Sequence, residues 1–251
     1  MSALGSAVAA EWVKVRSVRS AQWTLAGFAA VSIGLGHMVA GSFVDMEGEA
    51  DPLAANFFSL LTGQLVLVMF AVASVGSEYS TGTIRASLTA VPSRGRFLAA
   101  KMITVGLVVA AASLAVELAT FAVVQRRLGA HGSPLGEWAT IEALLGGWIH
   151  LTLLSVCTAA VAVLLRRTVV ALSVLMPVLF LSSQGLGNLP AIKPVAQYLP
   201  DQVGMVIMRM TVPGDPQFGR DYDAWTGIGI LVLWTAAALA AAWWSVRRRD
   251  A

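Results

Sequence analysis

Charges punctuate this chain instead of alternating with apolar residues. Read for Asp, Glu, Lys and Arg alone, Ser20–Val44, Pro52–Ser77, Ala143–Leu165, Thr168–Ile192 and Ala224–Val246 are charge-free, and Met102–Gln125 is broken only by Glu117. Each window exceeds the ~20 mostly apolar residues that an α-helix needs to cross a bilayer. The pattern predicts six membrane helices, at about 20–44, 57–77, 98–125, 142–165, 168–189 and 224–246, within a single domain covering 1–251. Three shorter elements complete the expected all-α membrane fold. Residues 3–19 place Leu4, Val8, Trp12 and Val15 at helical spacing, with Lys14 and Arg16 flanking the stripe and Glu11 intruding on its edge. This reads as an amphipathic helix lying on a leaflet. Ser80 or Thr81 can cap a short helix across Thr83–Ala90 before Pro92 and Gly95 break the run. In the proline-rich stretch Pro190–Asp223, Asp201–Met210 is expected as a short outer helix capped by Asp201.

Composition supports this reading. Hydrophobic residues make up 57% and charged residues 12%, about half the ~25% charge of soluble domains. Mean hydropathy is +0.74, which excludes a water-soluble enzyme. The single cysteine, Cys157, excludes a disulfide framework and a multi-cysteine metal site. The sequence pI near 9.4 at first suggests nucleic acid. Position gives a different answer. Twelve of the 17 Lys and Arg residues lie in the odd-numbered connecting segments, with only Glu11, Glu78 and Asp250 as acids. The even-numbered loops hold the other five bases and ten acids, Asp45, Glu47, Glu49 and Asp51 among them. By the positive-inside rule both termini are expected in the cytoplasm, and the basic pI reflects contact with the inner leaflet, not nucleic acid. The N-terminus lacks the build of a cleavable signal, and Arg outnumbering Lys 14 to 3 suggests a GC-rich bacterial genome, hence a bacterial cytoplasmic membrane.

Catalytic patterns are missing from the sequence: it has no phosphate loop, no nucleophile elbow and no HExxH. Asp221-Tyr222-Asp223 and the acidic run Asp45–Asp51 read as solvated loops instead of metal sites, and Cys157 as a small buried residue. Glu117 is the one formal charge inside the six windows. A carboxyl at that depth should face the bundle interior. Counted from the window ends, Glu117, His150 and His37 share a depth of roughly 10–12 Å below the outer boundary, which predicts an intramembrane polar layer with Glu117 and His150 as the closer pair.

The segments EWVKVRSVRSAQWTL, SEYSTGTIRASLTAVPSRGRFLAAK, YLPDQVG and RRRDA resemble permease subunits of type-2 ABC exporters from actinobacteria, across essentially the whole chain. That resemblance implies a half-transporter that works with a second permease chain, as homodimer or heterodimer, and with an ABC ATPase subunit. It implies that the N-terminal helix lies along the inner leaflet and that Glu78, Tyr79, Gly82, Thr83, Ile84 and Arg85 couple to the ATPase. ATP and Mg would then belong to the partner, with no cofactor, metal site or enzymatic activity on this chain. A hydrophobic or amphipathic cargo (lipid, antibiotic or peptide) would suit spans rich in Val, Leu, Ala, Phe and Trp. Ser32, Gly36 and Ala40, small residues recurring every fourth position, are expected at the permease–permease contact. Two other readings compete: a permease-like sensor or immunity subunit that binds its ligand without moving it, and a membrane-embedded enzyme built on Glu117 and His150.

Overall fold

A computed structural model describes residues 3–44, 51–80, 82–83, 93–183, 188–211, 214–215 and 218–248, without the side chains of 43, 44 and 181–183. Among the described residues the chain is helical and has no strand. The helices are α1 (Ala3–Ser17), α2 (Arg19–Val44), α3 (Pro52–Ser80), α4 (Arg94–Leu128), α5 (Trp138–Leu165), α6 (Thr168–Ser183), α7 (Lys193–Ala196) and α8 (Ala224–Arg248). Five of them, α2, α3, α4, α5 and α8, are long and apolar enough to cross a membrane. The fifth predicted span appears as the shorter apolar helix α6, which carries Pro177 in its interior.

α3 is the hub. It packs against α2, α4, α5 and α6, and Leu60, Leu67, Phe70 and Val72 on it are fully buried. Its start follows from local chemistry: Asp51 accepts a bond from Leu53 N (2.9 Å), and Pro52, whose missing N–H costs nothing there, opens the first turn. α3 therefore begins five residues before the predicted span. α4, 35 residues long, runs to about 52 Å and so extends well past a ~30 Å hydrocarbon core at 1.5 Å per residue. Asp223 caps α8 through Thr226 N at 2.7 Å, and this bond holds its carboxyl below the usual carboxylate range. Trp23, Trp138, Trp225, Trp243 and Trp244 are exposed near the helix ends, as expected of side chains that sit at headgroup level.

The helix ends sort by charge. A basic end gathers α1, the end of α3, the starts of α4 and α6, and the end of α8, where Arg94 donates to Val246 O at 3.2 Å and Gly95 lies against the Trp243 ring. An acidic end carries Asp51, which pairs with Arg209 at 3.0 Å, and Glu142, which accepts from Trp225 Nε1 at 2.6 Å.

One sequence expectation is corrected. The outer helix does not form: Asp201–Met210 folds as overlapping turns, with Arg209 at φ 55°. Burial explains this. Val203, Met205, Ile207 and Met208 sit inside the bundle, and the backbone bends so that Gly204 lies on the His150 ring and Ile207 on Gly146. The adjacent Val203 O meanwhile lies on Gly227 of α8, so neighbouring residues meet two different helices. α1 turns a different face to the bundle from its apolar stripe. Its buried face holds Ala7 and Glu11, while Trp12 is exposed, because Glu11 is drawn inward by the charges described next.

Candidate coupling junction and membrane cavity

Three helices meet at the basic end through four charges. Lys101 of α4 contacts Glu11 Oε2 and Glu78 Oε1, both at 2.8 Å. Lys14 of α1 contacts Glu11 Oε1 at 2.6 Å and Glu78 Oε1 at 2.8 Å. Lys101 also donates to Ser74 O at 3.2 Å. Two carboxylates and two ammoniums thus close a neutral ring that ties α1 to the exit of α3 and the start of α4. Glu11 and Glu78 are 7% and 8% exposed, and the ring gives each buried carboxylate two charged partners, while Glu78 Oε2 finds no hydrogen-bond partner among the described residues. Lys14 is the most open member, with 42% of its side chain exposed. Burial lowers its pKa, but the bonds and charges of Glu11 and Glu78 outweigh this and lift it above 10.5.

Of the predicted coupling residues, Glu78 belongs to this ring and Tyr79 lies beneath the Arg166 guanidinium, 5.9 Å from ring centre to Cζ. Gly82 takes φ +72°, with open space around it among the described residues. Thr83 is exposed. Ile84, Arg85 and the expected helix across 83–90 fall outside the described residues apart from Thr83. Glu11, Lys14 and Lys101 were not singled out from sequence. A signal was available: Glu11 and Glu78 are two of only three acids in the otherwise basic segments.

Next to the ring lies a cavity of about 440 Å³ between α1, α2, α3 and α4. Its walls grade from the four charges at one end to Phe70, Ala21 and Val105 at the other.

The predicted polar layer is only half assembled. Glu117 is 1% and His150 0% exposed, and Glu117 Oε1 and the Phe57 ring edge both lie over Gly147, one turn from His150 on α5. Among the described residues, neither the carboxyl oxygens of Glu117 nor the ring nitrogens of His150 find a hydrogen-bond partner, so the direct pair does not form. His37 is exposed on the outward face of α2 and takes no part, since its neighbour Gly36 is the residue turned inward. The Ser32–Gly36–Ala40 face is likewise relocated. Ser32 and Ala40 are fully buried, Gly63 of α3 packs on Ser32, and Gly36 faces Ser59, Thr120 and Val124. The small residues do permit close helix approach, but to α3 and α4 of the same chain, leaving that face no surface for a second permease. Of the DxD triplet, Asp223 is the cap of α8 and Asp221 accepts from Gln197 Nε2 (2.5 Å). No metal-holding group of His, Cys, Asp and Glu occurs among the described residues.

The model of the ABC-2 family transporter protein matches residues 7–185, from α1 through the four-charge ring to α6. The chain belongs to the ABC-2 transporter family. Membership makes it a multi-pass membrane permease of an ABC transporter, and permeases of this family normally work with an ATPase partner. The match spans the ring and cavity but stops before the outer turns and α8, whose packing is visible only in the structure. No curated protein is similar enough to this ABC-2 permease to serve as a relative.

Proposed function

We propose that the chain is the membrane-spanning subunit of an ATP-driven exporter, moving a hydrophobic or amphipathic substrate out of the cytoplasm or inner leaflet by alternating access. Family membership together with the four-charge ring carries this reading. The basic end is the cytoplasmic one, and both termini lie there. α6 is the fifth of six crossings. The arrangement of the ends supports this, because α5 finishes at the basic end and α8 starts at the acidic one. α1 lies along the inner leaflet, with Trp12 turned toward it.

ATP and Mg are bound and hydrolysed by the partner ATPase, and a second permease chain completes the pathway. ATP-driven closure of soluble subunits reaches the bundle only through cytoplasmic segments. Among the predicted coupling residues, Glu78 ties the exit of α3 to α1 and α4, because it is held by both Lys14 and Lys101. A push on Thr83 is thereby passed to α3, α4 and α1 together. Gly82, at a positive φ that other residues adopt at a cost, sets the angle at which the segment leaves α3.

Reconstitution with the cognate ATPase tests this. Gly82→Val is expected to keep ATP hydrolysis while vesicle flux falls at least about tenfold, a loss of roughly 1.4 kcal/mol in coupling. Equal flux refutes the lever, and substrate binding with no flux in the wild type turns the reading to a ligand-binding immunity subunit. Cysteines at Glu49 and Arg94 test the topology: label should reach the first from outside and the second only from inside, and the reverse pattern overturns it. Buried Cys157 keeps the background low.

A further inference from the structure

The cavity beside the ring has the gradient of an amphiphile. Along α3 its lining runs from Glu78 to Phe70, eight residues or about 12 Å of helix, which carries it from the headgroup level of one leaflet into the hydrocarbon. Hydroxyls of Thr24 and Ser74 occur along the way, and Val18, Ala21 and Val105 supply apolar wall. The charge presented at the polar end has a definite sign. Both carboxylates and Lys101 have side chains no more than 10% exposed, whereas Lys14 keeps 42% of its surface. Arg16 and Arg19 are exposed nearby in the sequence but do not line the cavity. The most open member of the neutral ring is therefore its lysine.

The geometry points to a binding site for an anionic glycerophospholipid of the inner leaflet, its phosphate at Lys14 and the upper part of an acyl chain along Ala21, Phe70 and Val105. A cavity of about 440 Å³ falls in the ~300–1,000 Å³ range of ligand pockets. It takes the glycerol region and the start of one chain, leaving the rest in the bilayer. Near a membrane an unpaired basic residue attracts anionic lipid by about 1 kcal/mol, so Lys14, paired within a neutral ring but its most open member, sets an upper limit of about fivefold preference over a zwitterionic lipid. The site lies where α1 breaks from α2, so a lipid there would brace α1 against the spans.

The test uses the full chain in nanodiscs without any ATPase, so its failure leaves the exporter reading standing. Photoreactive phosphatidylglycerol and phosphatidylcholine, each with a diazirine near the glycerol, are cross-linked and mapped by peptide. The expected result is labelling of residues 14–24, 70–78 and 101–105 by phosphatidylglycerol in preference to phosphatidylcholine, by up to about fivefold. Ala73 lines the cavity and is exposed, so Ala73→Trp should fill the space and abolish labelling without disturbing the core. Lys14→Gln should erase the preference and Lys14→Arg keep it. Equal labelling by the two lipids, or labelling unchanged in Ala73→Trp, would mean ordinary surrounding lipid and overturn the site. Displacement by inorganic phosphate would assign it to a soluble anion and overturn the lipid.

Discussion

Replacing Lys101 by Met removes the most buried ammonium of the four-charge ring and leaves its stem packed. Glu11 and Glu78 both touch that ammonium at 2.8 Å. Without it, two carboxylates on the order of 5 Å apart repel by about 3 kcal/mol at an effective dielectric near 20. Lys14 remains, but it is half exposed and already holds both acids. Removing one partner from a buried ionic group typically costs about 3–5 kcal/mol. At roughly 2–4 °C per kcal/mol for a chain of this size, Tm should fall by about 6–20 °C. A thiol-reactive fluorogenic dye in detergent reads this directly, because Cys157 is the one thiol and is buried. Adding Glu11→Gln to Lys101→Met should recover part of the loss, since it removes one of the two repelling charges. Asp51→Asn is the control: its pair with Arg209 is exposed and such pairs contribute about 0–1 kcal/mol. A Lys101→Met protein melting with the wild type, or a double variant less stable than the single, would refute the ring as a stabilising unit.

Other outcomes follow from packing and charge. Gly36→Leu should lower Tm by several degrees, an overpacking cost of about 1–3 kcal/mol or more, because even a Cβ at Gly36 meets Thr120 at 2.8 Å and Val124 at 3.1 Å; a variant that only weakens self-association while melting normally would return this face to the dimer interface. Gly204→Val should be as damaging, since the added carbons strike the His150 ring; the same dye assay decides, and an unchanged melt would show that the outer turns do not pack there. The Lys14 pKa is raised in the folded chain, so its contribution is complete below the ordinary value of 10.5 and disappears as pH climbs through the higher folded value. Melting followed by circular dichroism from neutral to strongly alkaline pH should therefore show a loss above 10.5 that is shallower in Lys14→Met; identical slopes would deny Lys14 that role.

Much of the architecture could be read from windows of charge-free sequence, because a bilayer tolerates few other solutions. Five of the six windows became long apolar helices. What escaped are properties that depend on who the neighbour is. The inward turn of Glu11 depends on Lys101, ninety residues further on, and no local period can reveal it. Ser32, Gly36 and Ala40 did announce a close helix approach, but a one-dimensional pattern cannot say whether the approaching helix belongs to the same chain. The start of α3 lies in Asp51-Pro52, a cap followed by a proline, a local signal that hydropathy does not weigh. Asp201–Met210 has the periodicity of a helix, yet burial between α5 and α8 overrode it.

The ring also imposes an order on biosynthesis. Glu11 leaves the ribosome ninety residues ahead of Lys101, a gap of roughly 5–18 s at ~5–20 residues per second. In that interval Glu11 has only Lys14 for company, and Glu78 on its emergence must share the same ammonium. Two acids with a single base form an open, net-negative cluster at the membrane surface until the third span is threaded. Nascent chains stalled short of Lys101 should therefore leave α1 accessible to protease, and chains stalled well beyond it should protect it. Maturation of the N-terminus is in this sense timed by a lysine in the middle of the gene.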